Sequence, residues 1–221
     1  MLQCFIPSTI DGIDLNAKDK LGKTGLHLAF ARNEATIALN IAKEDKLASP
    51  IQFLIKEGPK HKIDLNITDN QGKTPFHHLC SRGSKCLETL KNCLECNSKD
   101  IDYNARDNLG RTGLHLACLS AFADMKALEL LCQKSKNLDL DLNLADKNGN
   151  TAFHLACDTP FHLACQRDKS DVVKIFMEKA VALRIDLNVK NNNGMTAFHL
   201  ACKTYGTEDI VNILMENADD L

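Results

Sequence analysis

One seven-residue motif recurs along the whole chain. It reads T-G-L-H-L-A-C at 112–118. Related copies begin at Thr24, Thr74, Thr151, Thr159 and Thr196. Five of the six copies follow a second phrase of the general form I-D-L-N-x-x-D-x-x-G-x, with Asn eight residues and Gly two residues before the Thr. Such self-similarity predicts a row of small units that bury apolar surface against their neighbours, and it restricts the fold more than composition does.

The shared phrase contains a turn signal followed by a helix start. An Asp, or an Asn in the last copy, lies three residues before the Gly; such side chains bond nearby backbone while Gly adopts a positive φ. The Thr that follows can cap a helix. The cap candidates are Thr24, Thr74, Thr112, Thr159 and Thr196. Pro75 and Pro160 would occupy the first helical position, where a missing N–H is harmless.

These motifs resemble the ankyrin repeat, and the resemblance covers nearly the whole chain. It implies an all-α solenoid, an ankyrin-repeat array in which helix–turn–helix units are joined by β-hairpin turns. We expect a single domain, 1–221, with units at about 13–62, 63–100, 101–139, 140–184 and 185–221.

The repeats are longer than the family's period of about 33 residues. The marker asparagines Asn16, Asn66, Asn104, Asn143 and Asn188 are 50, 38, 39 and 45 residues apart. The surplus in the second and third units predicts outer helices about one turn longer than usual. In the first unit it predicts an insertion at 33–48 before an outer helix at 50–57.

The fourth unit contains a local duplication at 151–165, in which the motif occurs twice with a step of eight residues. A single helix through both copies would place Pro160 in its interior, at a cost of about 3 kcal/mol. We therefore expect a break near Asp158, followed by an outer helix at 171–179.

Histidines and cysteines also follow the repeat. Six of the eight histidines lie three residues after a motif Thr: His27, His77, His115, His154, His162 and His199. In the family this His bonds its own Thr and the backbone of the adjacent turn, which implies a structural role rather than catalysis. Five of the ten cysteines lie six residues after a Thr: Cys80, Cys118, Cys157, Cys165 and Cys202. We expect them to be buried in the packing, in a reducing compartment, rather than paired in disulfides.

A zinc site could be drawn from His77, His78 and Cys80 with Cys93 and Cys96. Only one C-x-x-C is present, however, whereas zinc sites commonly use two paired motifs. No metal site and no cofactor is predicted. The sequence also contains no phosphate loop, nucleophile elbow, H-E-x-x-H or kinase signature, so we expect no enzyme activity.

Composition restricts the compartment and the partners. The N-terminus lacks the features of a signal peptide, and no stretch approaches the roughly 18 apolar residues of a membrane span. We expect an intracellular, cytoplasmic monomer, with the nucleus as a second location and no membrane insertion. The net charge of −2 and the absence of interleaved basic and aromatic residues argue against nucleic acid as a partner.

The resemblance implies protein binding along the concave face, formed by the hairpin tips and the inner helices. Tip residues that vary between units are the candidates: Lys18, Lys20, Leu21, Lys23, Lys73, Arg106, Leu109, Arg111 and Lys147. Two interpretations stay open. The tips are solvated surface, or they form a basic ridge, with Lys23 and Arg111 exposed, on which an acidic peptide or acidic protein surface docks across units one to three.

The predicted function is therefore that of a non-catalytic protein–protein interaction module. The alternative is a targeting or regulatory ankyrin segment of a larger enzyme, channel or ubiquitin-ligase subunit. Two features support this alternative: nothing polar caps the apolar face of Ile210, Ile213 and Leu214, and Asp220 and Leu221 match the start of another D-L-N phrase.

Overall fold

The computed structural model describes residues 14–31, 50–120, 126–157, 168–203 and 208–216. Five short inner helices each follow a turn: α1 Gly25–Phe30, α3 Pro75–Cys80, α5 Gly113–Ser120, α7 Ala152–Cys157 and α9 Ala197–Lys203. Five outer helices alternate with them: α2 Pro50–Glu57, α4 Leu87–Glu95, α6 Lys126–Lys134, α8 Asp168–Leu183 and α10 Glu208–Glu216. Short 3₁₀ helices span Gly58–His61 and Gly83–Cys86.

The helices form two parallel rows. Each inner helix packs against the next inner helix, and each outer helix packs against the next outer helix. The predicted all-α array is confirmed. Within the described ranges the turns carry no regular strand, and the β structure there is one isolated bridge between Ala145 and Thr151.

The turns have the predicted geometry. In the second unit Asp69 Oδ1 accepts the N–H groups of Gln71 and Lys73 at 2.8 and 3.0 Å, and Gly72 has a φ of 72°. The other four tips repeat these bonds, with Asn191 taking the place of Asp in the fifth. The turn signal is thus satisfied locally, by side chain and backbone within five residues.

A continuous core runs between the two rows of helices. Its largest fully buried side chains include Phe76, Leu90, Leu114, Leu131 and Phe176. Burying a side chain of this size stabilises a fold by about 1.5–3 kcal/mol. The core therefore depends on contacts between successive units, because every helix except α8 has nine residues or fewer and is too short to be stable alone.

The cysteine prediction holds inside the array and is wrong at its last unit. Cys80, Cys118 and Cys157 are buried, whereas Cys202 on α9 is exposed. The reason is that α9 is the last described inner helix, so no described helix packs beyond it. Cys165 lies outside the described residues. The described cysteines are free thiols.

The surplus residues of the second and third units do not extend the outer helices. Helices α4 and α6 end at Glu95 and Lys134, and the residues that follow form turns. Asn97 and Asp139 in these turns have φ values of 46° and 52°, a conformation that stops a right-handed helix. The prediction of longer outer helices is wrong for these two units.

Helix α2 matches the predicted outer helix at 50–57, and α8 is longer at both ends than the predicted 171–179. The first copy of the duplicated motif forms α7, and Thr151, which was not among the predicted caps, precedes it. The insertion at 33–48, the second copy with Thr159 and Pro160, and the predicted break near Asp158 all lie outside the described residues. The exact unit boundaries stay predictions.

Candidate protein-interaction surface

The motif histidines join each unit to the next. His77 Nδ1 lies 2.8 Å from Thr74 Oγ1 and accepts the Thr74 N–H at 3.2 Å, while His77 Nε2 lies 2.9 Å from the carbonyl oxygen of Arg111. Because Nδ1 accepts a backbone N–H, the proton of the neutral ring is on Nε2, which donates to the carbonyl. The ring thus takes the place of Glu or Gln in a capping box and also reaches the following unit.

His27, His115 and His154 repeat these contacts. Their Nε2 atoms lie 3.0, 3.0 and 3.1 Å from the carbonyl oxygens of Lys73, Asn150 and Met195. The structural role predicted for these histidines is confirmed; His162 lies outside the described residues. Burial lowers the pKa of His27, His77 and His115, partly offset by the bond to the carbonyl, so these rings are neutral at pH 7.

The marker asparagines form a second ladder that the sequence analysis missed. Asn66 Nδ2 donates to the Asp100 carbonyl at 2.7 Å, and Asn66 Oδ1 accepts the Asp102 N–H at 2.8 Å. Asn16, Asn104 and Asn143 make the same pair of bonds where two units meet, one to the last residue of their own unit and one to the unit that follows. The available signal was their fixed position eight residues before the Thr in five phrases.

Backbone bonds hold the tips in register. The N–H of Asn70 donates to the Leu21 carbonyl at 3.0 Å, and that of Asn108 donates to the Gln71 carbonyl at 2.9 Å. The third and fourth junctions repeat the contact at 3.0 Å. Equivalent side chains of successive tips are therefore aligned in a row along one edge of the array.

Six of the predicted binding residues lie on this row with side chains that are exposed or partly exposed. Leu21 and Leu109, the residues before the turn glycines, are 61% and 55% exposed. The other four are exposed or partly exposed, and no described residue forms a hydrogen bond or ion pair with their amino groups: Lys20, Lys23, Lys73 and Lys147. We call these six residues the tip surface.

The other three predicted binding residues are engaged within the fold. Lys18 Nζ donates to the Thr68 carbonyl of the next unit at 2.7 Å, and Arg106 at the equivalent position donates to the carbonyls of Gly110 and Ala145. The expectation that Lys23 and Arg111 are exposed is wrong, because both are only partly exposed. Arg111 is in addition held by the fold. Its side chain is 21% exposed, and Nε and Nη2 donate to Asp107 Oδ2 at 3.0 and 2.8 Å.

The inner helices add two features beside the tips that the sequence analysis did not assign. Leu28, the residue after the motif His of α1, is 53% exposed. His78 occupies the same position on α3, and its Nε2 lies 2.7 Å from Asp69 Oδ2. Burial lowers the pKa of His78, and the Asp69 carboxylate opposes that shift. Leu28 and His78 could have been identified from the sequence, because each lies one residue after a motif His in a predicted helix.

The zinc site drawn from His77, His78, Cys80, Cys93 and Cys96 is not assembled. Among the described residues no group of three or more His, Cys, Asp or Glu side chains is placed to hold a metal ion. His77 and His78 are engaged with Arg111 and Asp69, and the thiols of Cys80 and Cys93 are fully buried.

In the described ranges no helix has the length and apolar character needed to cross a bilayer.

Comparisons with known proteins agree with this geometry. The sequence matches the family described as ankyrin repeats (3 copies) at residues 39–138 and 157–221, which is most of the chain. No curated protein sequence matches it. The crystal structure of the ankyrin repeat protein EF0377 is similar, with a TM-score of 0.69 and 22% identity over 93% of this chain and 86% of the other.

Ankyrin repeats are generally non-catalytic modules for protein–protein interaction. The turn, histidine and asparagine contacts account for the matched motif residue by residue. This chain, with its turn-and-helix-pair units stacked through these ladders, belongs to the ankyrin-repeat family.

Proposed function

We propose that this protein recognises an acidic segment of a partner protein along the tip surface and the adjacent inner-helix face. The single observation that carries the proposal is that the fold binds some of the tip cations and leaves the others unbound. Lys18, Arg106 and Arg111 are bound to carbonyls or a carboxylate of the fold, whereas the four lysines of the tip surface are not.

The fold does not require a basic side chain at these positions. Lys73, Arg111, Asn150 and Met195 occupy equivalent positions, and in each the backbone carbonyl, not the side chain, accepts the Nε2–H of the preceding unit's histidine. Because the backbone contact is independent of the side chain, the lysine at position 73 is free to serve a ligand.

The chemistry of the surface favours a partner with acidic and aliphatic side chains. Leu21, Leu28 and Leu109 supply exposed apolar area between the lysines. Carboxylates of a partner would be steered by the aligned positive charges, and charge of this kind affects the association rate and its salt dependence more than the final affinity. Aliphatic side chains of the same segment would cover the leucines.

The test is charge reversal at two lysines that the fold leaves unpaired. A display library of short peptides rich in Asp, Glu and Leu would provide the probe, and the best binder would be measured by fluorescence anisotropy. We expect Lys23→Glu with Lys73→Glu to weaken binding about tenfold or more and to flatten its salt dependence. Arg111→Glu is avoided, because it would place a second carboxylate beside Asp107.

The matched control is Lys174→Glu, an exposed lysine of the outer helix α8. It changes the net charge in the same direction but lies on the opposite row of helices. The proposal fails if the library yields no binder, or if the control weakens binding as much as the double variant does.

A further inference from the structure

His78 differs from the motif histidines because the fold uses only one of its ring nitrogens. Its Nε2 lies 2.7 Å from Asp69 Oδ2, and its Nδ1 has no hydrogen-bond partner among the described residues. In His27, by contrast, Nδ1 accepts the Thr24 N–H at 3.1 Å and Nε2 lies 3.0 Å from the Lys73 carbonyl oxygen. A second proton on the His27 ring would break the bond at Nδ1, whereas a second proton on His78 breaks none.

The repeat does not require a histidine at this position. Each of the other five motif copies has leucine one residue after the motif His: Leu28, Leu116, Leu155, Leu163 and Leu200. Helix α1, which has leucine there, has the same length as α3. The turn is also complete without His78, because Asp69 Oδ1 holds the N–H groups of Gln71 and Lys73 while His78 meets the other oxygen, Oδ2. The pair of His78 and Asp69 is therefore free to serve a ligand.

The pair lies inside the proposed binding surface. Lys73 of the tip surface donates its backbone N–H to Asp69 Oδ1 at 3.0 Å. The His78 ring packs edge-on against the ring of His27, with centroids 5.4 Å apart, and the charge of Lys23 acts on it. The His78 side chain is 15% exposed and that of Asp69 is 2% exposed. A ligand on this surface can therefore reach the imidazole but not the carboxylate beneath it.

The pair carries a net negative charge at pH 7. Burial raises the pKa of Asp69, but hydrogen bonds from Lys73, His78 and Gln71 outweigh it, so the carboxylate is ionised. Burial lowers the pKa of His78, and the Asp69 carboxylate opposes that shift without cancelling it, so the ring is neutral with its proton on Nε2. Uptake of a second proton brings the net charge of the pair to zero and changes Nδ1 from an acceptor to a donor.

Charged and titratable groups surround the ring on every side of α3. Asp69 favours the charged form of His78, whereas Lys23 and His27 oppose it. Helix α5 packs on the other side of α3 and has two titratable side chains, both buried: His115 and Cys118. Helix α4 packs on α3 from the outer row, and its charged side chains are exposed: Glu88, Lys91 and Glu95. The outcome is thus decided at the surface that His78 shares with Asp69 and Lys23.

We propose that His78, oriented by Asp69, is a specificity-determining and pH-dependent contact of this surface, whose protonated ring donates Nδ1–H to a carboxylate of the acidic segment. This inference rests on the proposed recognition of such a segment. A carboxylate at Nδ1 stabilises the charged ring, so the segment binds the protonated form more tightly. By linkage the pKa of His78 is then higher in the complex than in the free protein, and the affinity rises as the pH falls.

The test measures peptide affinity at two pH values. The probe is the acidic, leucine-containing peptide selected from the display library and synthesised without histidine, and circular dichroism at each pH verifies that the protein is folded. We expect the Kd from fluorescence anisotropy to fall about three- to tenfold between about pH 7.5 and pH 5.5. In His78→Gln, whose side chain can donate to Asp69 but cannot become charged, the change should be less than about twofold.

The matched control is His61→Gln, which removes a histidine from the 3₁₀ helix that follows α2. It should retain the full pH dependence. His78→Leu, which introduces the residue of the other motif copies, is a second variant that keeps the test valid where His78→Gln lowers stability. NMR titration supplies a direct measurement, because the pKa of the His78 ring should rise when the peptide is bound, and a purely structural histidine would show no such change.

The outcomes separate this inference from the proposed function. The inference is overturned, and the proposed function stands, if Lys23→Glu with Lys73→Glu weakens binding but the pH dependence persists in both His78 variants. It is also overturned if the peptide binds without raising the pKa of His78. If no library peptide binds at either pH, the proposed function fails and the inference fails with it.

Discussion

The third and fifth units place the same motif in two environments. His115 and Cys118 on α5 are 1% and 3% exposed, whereas His199 and Cys202 at the same positions on α9 are exposed. The helices, the preceding turns and the Thr–His bonds are alike in both. The difference is that α7 packs against α5, and no described helix packs beyond α9.

This comparison shows that the motif specifies a unit, while the neighbour supplies burial. In the third unit the following tip covers the histidine and its Asn150 carbonyl accepts a hydrogen bond from the ring; in the fifth no described tip follows. Stability in such an array is approximately a sum of unit and junction contributions. Substitutions at matched positions should therefore differ in effect according to whether a junction follows.

The largest expected difference is in thiol reactivity. Cys118 reacts only when its unit opens, and burial raises the pKa of the Cys118 thiol, which reduces the reactive thiolate further. We expect Cys202 to be alkylated at least about a thousandfold faster than Cys118 in the native protein. Mass spectrometry of labelled peptides over time would measure both rates. Comparable rates would contradict the burial contrast between the two units.

Acid should destabilise the junctions that buried histidines bridge. The pKa values of His27, His77 and His115 are lowered in the folded state, so below the ordinary value of 6.5 the unfolded chain binds more protons than the folded one. Their stabilising contribution is complete above about pH 6.5 and falls as the pH drops, by up to about 1.4 kcal/mol per pH unit for each ring.

Urea unfolding between about pH 7.5 and pH 5 would measure this slope. Burial raises the pKa values of Asp69 and Asp107, but hydrogen bonds from Lys73 and Arg111, among others, outweigh it and lower both pKa values overall. These carboxylates lose their stabilising contribution only below about pH 3.8 and therefore do not change the slope between about pH 7.5 and pH 5. His115→Ala should reduce the slope. A free energy of unfolding that stays constant over this range would contradict the prediction.

Two motif glycines provide a matched test of packing. A Cβ on Gly113 would lie 2.8 Å from Phe76 Cε1 and 3.0 Å from Cys80 Sγ, whereas a Cβ on Gly25 would meet nothing within 4 Å. We expect Gly113→Ala to lower the free energy of unfolding by about 1–3 kcal/mol through overpacking. Gly25→Ala should be neutral or stabilising by up to about 1 kcal/mol, because alanine favours the helix. Equal changes in the free energy of unfolding, measured by denaturant titration, would show that the close approach of units two and three does not affect stability.

The smallest contrast concerns the histidine bonds themselves. His115→Ala removes the ring that serves Thr112 and the Asn150 carbonyl, and should cost about 1–3 kcal/mol. Among the described residues His199 is bonded to Thr196 alone, so His199→Ala should cost within about 0.5 kcal/mol. Circular dichroism melts of the two variants would compare them directly. A similar loss in both would mean that the bond to the next unit contributes little.

Sequence alone determined the parts of this fold that arise within a few residues. Asp69 accepts a hydrogen bond from Lys73, four residues on, and His77 is bonded to Thr74, three residues back. The residues of the motif therefore suffice to specify the turn, the helix start and the histidine tautomer. The same local logic identified the family, the all-α array and the outer helix at 50–57.

Tertiary structure decided what each copy of the motif does. His27 meets Lys73 across 46 residues, and Lys18 meets Thr68 across 50. A spacing pattern cannot show which cations will bind the next unit, that Arg111 will be held by Asp107, or that Cys202 will be exposed while Cys118 is buried. These outcomes depend on the neighbouring unit, because burial and hydrogen bonding across a junction require two surfaces and the motif describes only one.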